Sequence, residues 1–172
     1  MTSHFEEVFK LMEKSFPKNE YRAKENQKKL LKNPMYKLDV KTDESGKTIA
    51  FIASWDFPKF LFIEHLAVDP CCRGKGTGSK IMKDFINNSK KPIVLEIEIP
   101  NDEISIKRKN FYEKLGFKLN NHEYYQLPLR KGDKPMKLNL MSYPNEIPDE
   151  TFEIIENIIQ SYVYLCQIWR IN

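Results

Sequence analysis

The chain has 172 residues, of which 41% are apolar and 30% charged. That length favours one compact domain, and the composition excludes both a disordered polar tract and a membrane-embedded chain. The 28 Lys and Arg against 24 Asp and Glu leave only +4, spread along the whole length, too dilute to argue for nucleic acid.

Phe5, Val8, Phe9, Met12 and Phe16 recur at helical spacing and stop at Pro17, which predicts a first helix. A second, Lys-rich helix is expected from about Arg22 to Lys32, ended by Asn33-Pro34. The period then changes to two. Tyr36 to Val40 alternates, Asp43 to Gly46 reads as a turn, and Thr48 to Trp55 is the returning strand of a hairpin. A further strand, Phe60 to Val68, closes at Asp69-Pro70. After Arg73-Gly74-Lys75-Gly76-Thr77-Gly78, the residues Ile81, Met82, Phe85 and Ile86 mark a helix. Pro92 opens an apolar strand, Ile93 to Ile99, and a helix from about Ser105 to Leu115 follows, with Gly116 as its cap.

Leu119 to Leu129 and Met136 to Met141 read as strands around the turn Lys131-Gly132-Asp133. The tail from Asp149 to about Arg170 predicts a last helix, with apolar positions at 152, 155, 159, 162, 166 and 169. A second row at Ile154, Ile158 and Leu165 widens the stripe enough for burial on two sides, against the body and against a second subunit. The order implies a mixed α/β (α+β) fold, a sheet with helices packed on it and an extra C-terminal helix. No apolar run nears the roughly 18 residues of a membrane-crossing helix. The first 16 residues mix Glu6, Glu7, Lys10 and Glu13 with hydrophobics, unlike a signal peptide. Cys71 and Cys72 are adjacent and Cys166 is distant, so no disulfide framework is expected, and the histidines at 4, 65 and 122 lack zinc-site spacing. The expectation is a soluble, cytoplasmic domain without a metal.

The glycine-rich loop carries the chemistry. Glycine allows positive φ and close backbone approach, and the first N–H groups of the following helix favour an anionic phosphate. Arg73 and Lys75 add positive charge; the alternative is a tight connection with exposed basic residues. Walker and dinucleotide motifs both fail on glycine spacing. The run Leu66-Ala67-Val68-Asp69-Pro70 followed by Arg73 to Gly78 resembles motif A of the GCN5-related N-acetyltransferases, the GNAT family. Asn110 to Phe117, with Tyr112 inside it, resembles the family's motif B. The element order fits that fold from about residue 3 to 142, which makes 1–142 the expected catalytic domain and 143–172 an extension packed on it or on a dimer partner.

The resemblance implies a mostly antiparallel central sheet and acetyl-CoA as cosubstrate. It implies that Leu66, Ala67 and Val68 meet the pantetheine arm, with the N–H of Leu66 or Val68 on the thioester carbonyl. Arg73, Gly74, Lys75, Gly76, Thr77, Gly78 and Ser79 would wrap the pyrophosphate, and the implied reaction is direct attack by an amine in a ternary complex. Tyr112 stands where the family's tyrosine protonates the departing thiolate. Two positions depart from the pattern. Ser105 replaces an asparagine, leaving a lesser cofactor contact, and Cys72 replaces a tyrosine.

The amine's proton needs an acceptor. Glu64 is the first candidate, because partial burial among Phe62, Ile63 and Leu66 would raise its pKa, although a pairing with Lys or Arg is an equal alternative. Glu96 and Glu98, alternating on the next strand, are the rivals; His65 is expected to be packed and hydrogen-bonded. Glu64, Glu96, Glu98, Asp102 and Glu103 together suggest an acidic lining and a cationic amine acceptor, a small molecule or peptide. The contrasting reading is a non-catalytic CoA-binding sensor or subunit.

Overall fold

The first helical stripe forms as expected. Phe5, Val8, Phe9, Leu11 and Met12 are the buried side of α1 (Phe5–Ser15), and extended backbone at Phe16 leads into Pro17 and ends it. In the computed structural model, which describes residues 4–165, the chain divides into two compact units, Met1–Lys91 and Pro92–Asn172.

The first unit carries α1, α2 (Lys24–Lys29), the strands β1 (Tyr36–Thr42), β2 (Thr48–Asp56) and β3 (Leu61–Val68), and α3 (Thr77–Asn88). The expected helix from Arg22 is shorter, because Tyr21 to Ala23 is extended and Arg22 is buried rather than on a solvated face. The three strands form an antiparallel meander with β2 in the middle. Residues 50–55 of β2 are all buried, so both its faces are covered, and α1 and α3 pack on β2 and β3. Trp55, Phe57 and Phe60 form an aromatic core, with Tyr36 edge-on to Trp55. The β2–β3 register passes from Ala53 opposite His65 to Ser54 opposite Ile63. Glu64 is therefore the extra residue of a β-bulge, a device that re-aims a side chain.

The second unit carries β4 (Ile93–Glu98), α4 (Glu103–Lys114), β5 (Lys118–Leu119), β6 (Tyr124–Gln126), β7 (Met136–Tyr143) and α5 (Asp149–Ile159). β7 is its organising strand, antiparallel to β4, β5 and β6. All these pairings are antiparallel and helices accompany both sets of strands, the mixed, mostly antiparallel class that was expected. α4 starts at Glu103 because Asp102 and Ser105 form a reciprocal capping box around its first turn.

The strand expected from Leu119 to Leu129 is broken in two. Asn120, 2% exposed, accepts from Ile147 N at 2.6 Å and donates to Leu140 O at 3.2 Å and Ser142 Oγ at 3.0 Å. A side chain thus does the work of the ladder between β5 and β6, and Pro128, which has no N–H to donate, follows soon after. The last helix also departs from its expected phase. Gln160–Leu165 is a π-helical segment with more residues per turn, so Val163 and Tyr164 are buried while Tyr162 is 45% exposed. Of the second row, Ile154 and Leu165 are exposed; positions 166 and 169 lie outside the described residues. No helix among the described residues is long and apolar enough to cross a membrane.

Candidate active site

In the first unit, β3 runs directly into the glycine loop. Asp69 caps the turn at Pro70–Cys72 by accepting from Cys71 N at 2.9 Å. Arg73 folds back, its Nε donating to Val68 O at 3.0 Å, and so ties the loop to the strand end. Gly74 and Gly76 have φ of +74° and +77°, a region costly for any residue with a Cβ. A Cβ at either would meet no atom within 4 Å, so the glycines serve the backbone path and leave space beside it. Gly76 is the N-cap of α3, and the donors of its first turn, Thr77, Gly78 and Ser79, open beside the exposed Lys75. Leu66 and Val68 are partly exposed along β3 and Ala67 is buried. The geometry suits a multiply charged phosphate group on a chain that continues along the strand. Cys71 is an exposed free thiol and Cys72 a partly exposed one.

Glu64 does not have the environment expected for a base. Its side chain and that of Arg22 are each 2% exposed and form an ion pair, with Arg22 Nη1 donating to Oε1 and Trp55 Nε1 donating to Oε2 at 2.9 Å. Burial by itself would raise the carboxyl, but the Arg22 charge, aided by His65 and by the Trp55 and Arg22 hydrogen bonds, holds it below its ordinary range. The expected upward shift is corrected: the Arg22 charge, His65 and the two hydrogen bonds together outweigh desolvation, and both oxygens are engaged. Beside this pair, Gln27 donates to the Tyr36 hydroxyl at 2.9 Å, and burial followed by the Glu64 charge raises the Tyr36 phenol. His65 is packed as expected, 4% exposed, edge-on to Phe16 and with Nε2 2.8 Å from Glu20 O.

In the second unit, Glu96 and Glu98 have different neighbours. Glu98 pairs with Arg108, and both side chains are 38% exposed. Glu96 accepts from two phenols, from Tyr124 at Oε1 and from Tyr164 at 2.8 Å to Oε1 and 2.7 Å to Oε2. Tyr124 is fully buried, and burial followed by the Glu96 charge raises its phenol far above the ordinary value. Tyr112, near the end of α4, lies edge-on to Phe111 and Phe117. Burial pushes its phenol up to about 12, with Arg108 opposing and Glu98 adding a little. It therefore holds its proton across the physiological range. Ser105 closes the first turn of α4. It is 3% exposed and its hydroxyl is occupied in the α4 capping box with Asp102.

A family model described as an acetyltransferase (GNAT) domain matches residues 39–119, a span that holds β3, the glycine loop, Glu96 and Tyr112. A solved structure described as a "Putative acetyltransferase from GNAT family" of Bacteroides thetaiotaomicron is 33% identical, with 94% of this chain and 92% of that one covered and a TM-score of 0.87. The chain belongs to the GNAT acetyltransferases. This GNAT chain is also 29% identical over 150 residues to "Putative acetyltransferase YjbC" of Bacillus subtilis (strain 168), covering 86% of this chain and 74% of that protein. The ribosomal-protein-S18-alanine N-acetyltransferase of Escherichia coli shares the fold at 18% identity and a TM-score of 0.62, with 88% of this chain and 94% of that one covered.

Arg22, Tyr124 and Tyr164 did not stand out in the sequence of this GNAT chain, and all three lie outside the family match. Arg22 sits in a Lys-rich stretch that reads as a solvated helix face. The phase of Tyr164 is hidden by the π segment.

Proposed function

We propose that this chain is an acetyl-CoA-dependent N-acetyltransferase that acetylates a primary amine of a small molecule or peptide. The observation that carries the reading is the positive-φ glycine loop, joined to the end of β3 and capping α3, in a chain of the GNAT family. Acetyl-CoA, the family's cosubstrate, supplies the acetyl group as a thioester that a neutral amine attacks directly. The open side of Gly74 and Gly76, the first turn of α3 and the Lys75 charge fit its pyrophosphate. The strand end at Leu66, Ala67 and Val68 fits its pantetheine arm, and the N–H of Leu66 or Val68 would polarise the thioester carbonyl.

Glu96 takes the role of proton acceptor in this reading. Glu96 accepts from the phenols of Tyr124 and Tyr164, while Glu64 is tied to Arg22 and Glu98 to Arg108. Glu96 accepts the amine's proton directly or through water, and Tyr112, protonated up to about pH 12, donates to the departing sulfur. The acidic lining thins once pairs are assigned, since Glu103 binds Lys107 and Asp102 caps α4. Preference for a cationic amine rests on Glu96.

Thermal unfolding with acetyl-CoA, with NAD and ATP as controls, tests the reading. At a ligand excess of about 100 dissociation constants, stabilisation is about 2.7 kcal/mol, several degrees in Tm. Tyr112→Phe keeps that shift and loses about 100-fold in turnover. No shift with acetyl-CoA overturns the reading; a shift without turnover of any primary amine in a broad screen turns it into a CoA-binding module.

A further inference from the structure

The segment after β7 lies beyond the family match at 39–119, yet it reaches the carboxylate assigned above as proton acceptor. Tyr164 is 1% exposed and its hydroxyl sits 2.8 Å and 2.7 Å from the two oxygens of Glu96. The amide nitrogen of Gln126, a donor only, lies 3.2 Å from the same hydroxyl. A hydroxyl that accepts from Gln126 keeps its own proton to donate, and the carboxylate of Glu96 accepts from it.

The backbone is shaped for this contact. An α-helical phase continued from Phe152, Ile155 and Ile159 would bury position 162, but Tyr162 is exposed, and the π segment turns Val163 and Tyr164 inward instead. The step from Ile159 to Tyr164 is five residues, the repeat of a π turn, and such turns concentrate at functional sites.

We propose that Tyr164 is a positioning residue for Glu96, so that the C-terminal segment is part of the proton-accepting apparatus. The proposal rests on the assignment of Glu96 as proton acceptor. Tyr164 holds the carboxylate in one orientation and donates to its charged form, as Tyr124 does from β6. One proton passes from the substrate ammonium to Glu96, leaving a neutral amine and a carboxylic acid, and both phenols keep their own.

The test uses the full chain as Tyr164→Phe and Glu96→Gln. Turnover is followed as CoA release with spermidine, a lysine peptide and a glycine-terminated peptide. The Glu96 carboxyl is titrated by carbon NMR of side-chain-labelled glutamate, assigned by its loss in Glu96→Gln. Tyr164→Phe binds acetyl-CoA as the wild type does, loses about tenfold in kcat with little change in KM, and moves the Glu96 midpoint and the acid limb of the rate profile up by about one pH unit. An unmoved midpoint and rate profile, in a variant whose Glu96→Gln counterpart is inactive, overturns the proposal. If Glu96→Gln retains full turnover, the base assignment fails; the carbon titration then upholds the coupling if it has moved and overturns it if it has not. Should Tyr164→Phe fail to fold, Gln126→Met releases the hydroxyl from its orienting donor and gives a smaller shift in the same direction, and its absence counts against the proposal.

Discussion

Glu64 in the first unit and Glu96 in the second are both strand glutamates with polar partners drawn from elsewhere in the chain, and those partners differ in kind. Glu64 meets a guanidinium that is itself buried, so charge cancels charge and the carboxylate is locked. Glu96 accepts from the phenol hydroxyls of Tyr124 and Tyr164. A buried carboxylate paired with a fixed cation is a structural element, because removing either partner strands a charge. Two residues of one type are thus separated by what the fold brings to them.

The largest effect that would break this contrast is on stability. Glu64→Gln leaves Arg22 buried without its counter-charge and lowers unfolding free energy by about 3–5 kcal/mol, measured by urea denaturation. Restoring an apolar site with the double change Arg22→Met and Glu64→Leu recovers much of that loss. A mild phenotype for the single change would place Glu64 beside Glu96 after all.

Acid titration sharpens the same point. The folded carboxyl of Glu64 lies below its ordinary 4.5, so the unfolded chain binds the proton first as pH falls. The pair's contribution is present in full above about pH 5 and is lost as pH falls through the depressed folded value. Wild type therefore loses stability more steeply below pH 4.5 than Glu64→Gln does, and equal slopes would contradict the assigned pair.

A control in the first unit separates lost charge pairing from general fragility. Gly76→Ala meets no neighbour within 4 Å but must adopt φ +77°, at a cost of about 1–2 kcal/mol. It also weakens the acetyl-CoA shift without altering the acid slope. The smallest effect is that of Glu96→Gln on stability, about 1 kcal/mol, since the amide oxygen still accepts from the phenols. A loss as large as that of Glu64→Gln would show that Glu96 is a structural group too.

Much of this was legible in order along the chain. The α1 stripe, the β1–β2 hairpin and the glycine loop between β3 and α3 rest on local periodicity or on glycine's freedom, which neighbours in sequence set, while Tyr112 was marked by its resemblance to a family motif. Ser105 shows where that stops. The family resemblance says nothing of the capping box this residue closes, which forms because Asp102 three residues earlier offers its N–H and carboxylate. The tail shows it again, since a uniform helical period cannot foresee a π segment.

What the sequence by itself determined was most element types and the loop that suits a phosphate, because these follow from spacing within a few residues, and the family, through resemblance to two motifs. Only the tertiary structure decided that Glu64 meets Arg22 and that Glu96 meets the phenols of Tyr124 and Tyr164. Arg22 is 42 residues from Glu64 and Tyr164 is 68 from Glu96. The charge state a buried carboxyl prefers depends on the atoms within a few ångströms of it, and those arrive from parts of the chain that no local pattern links.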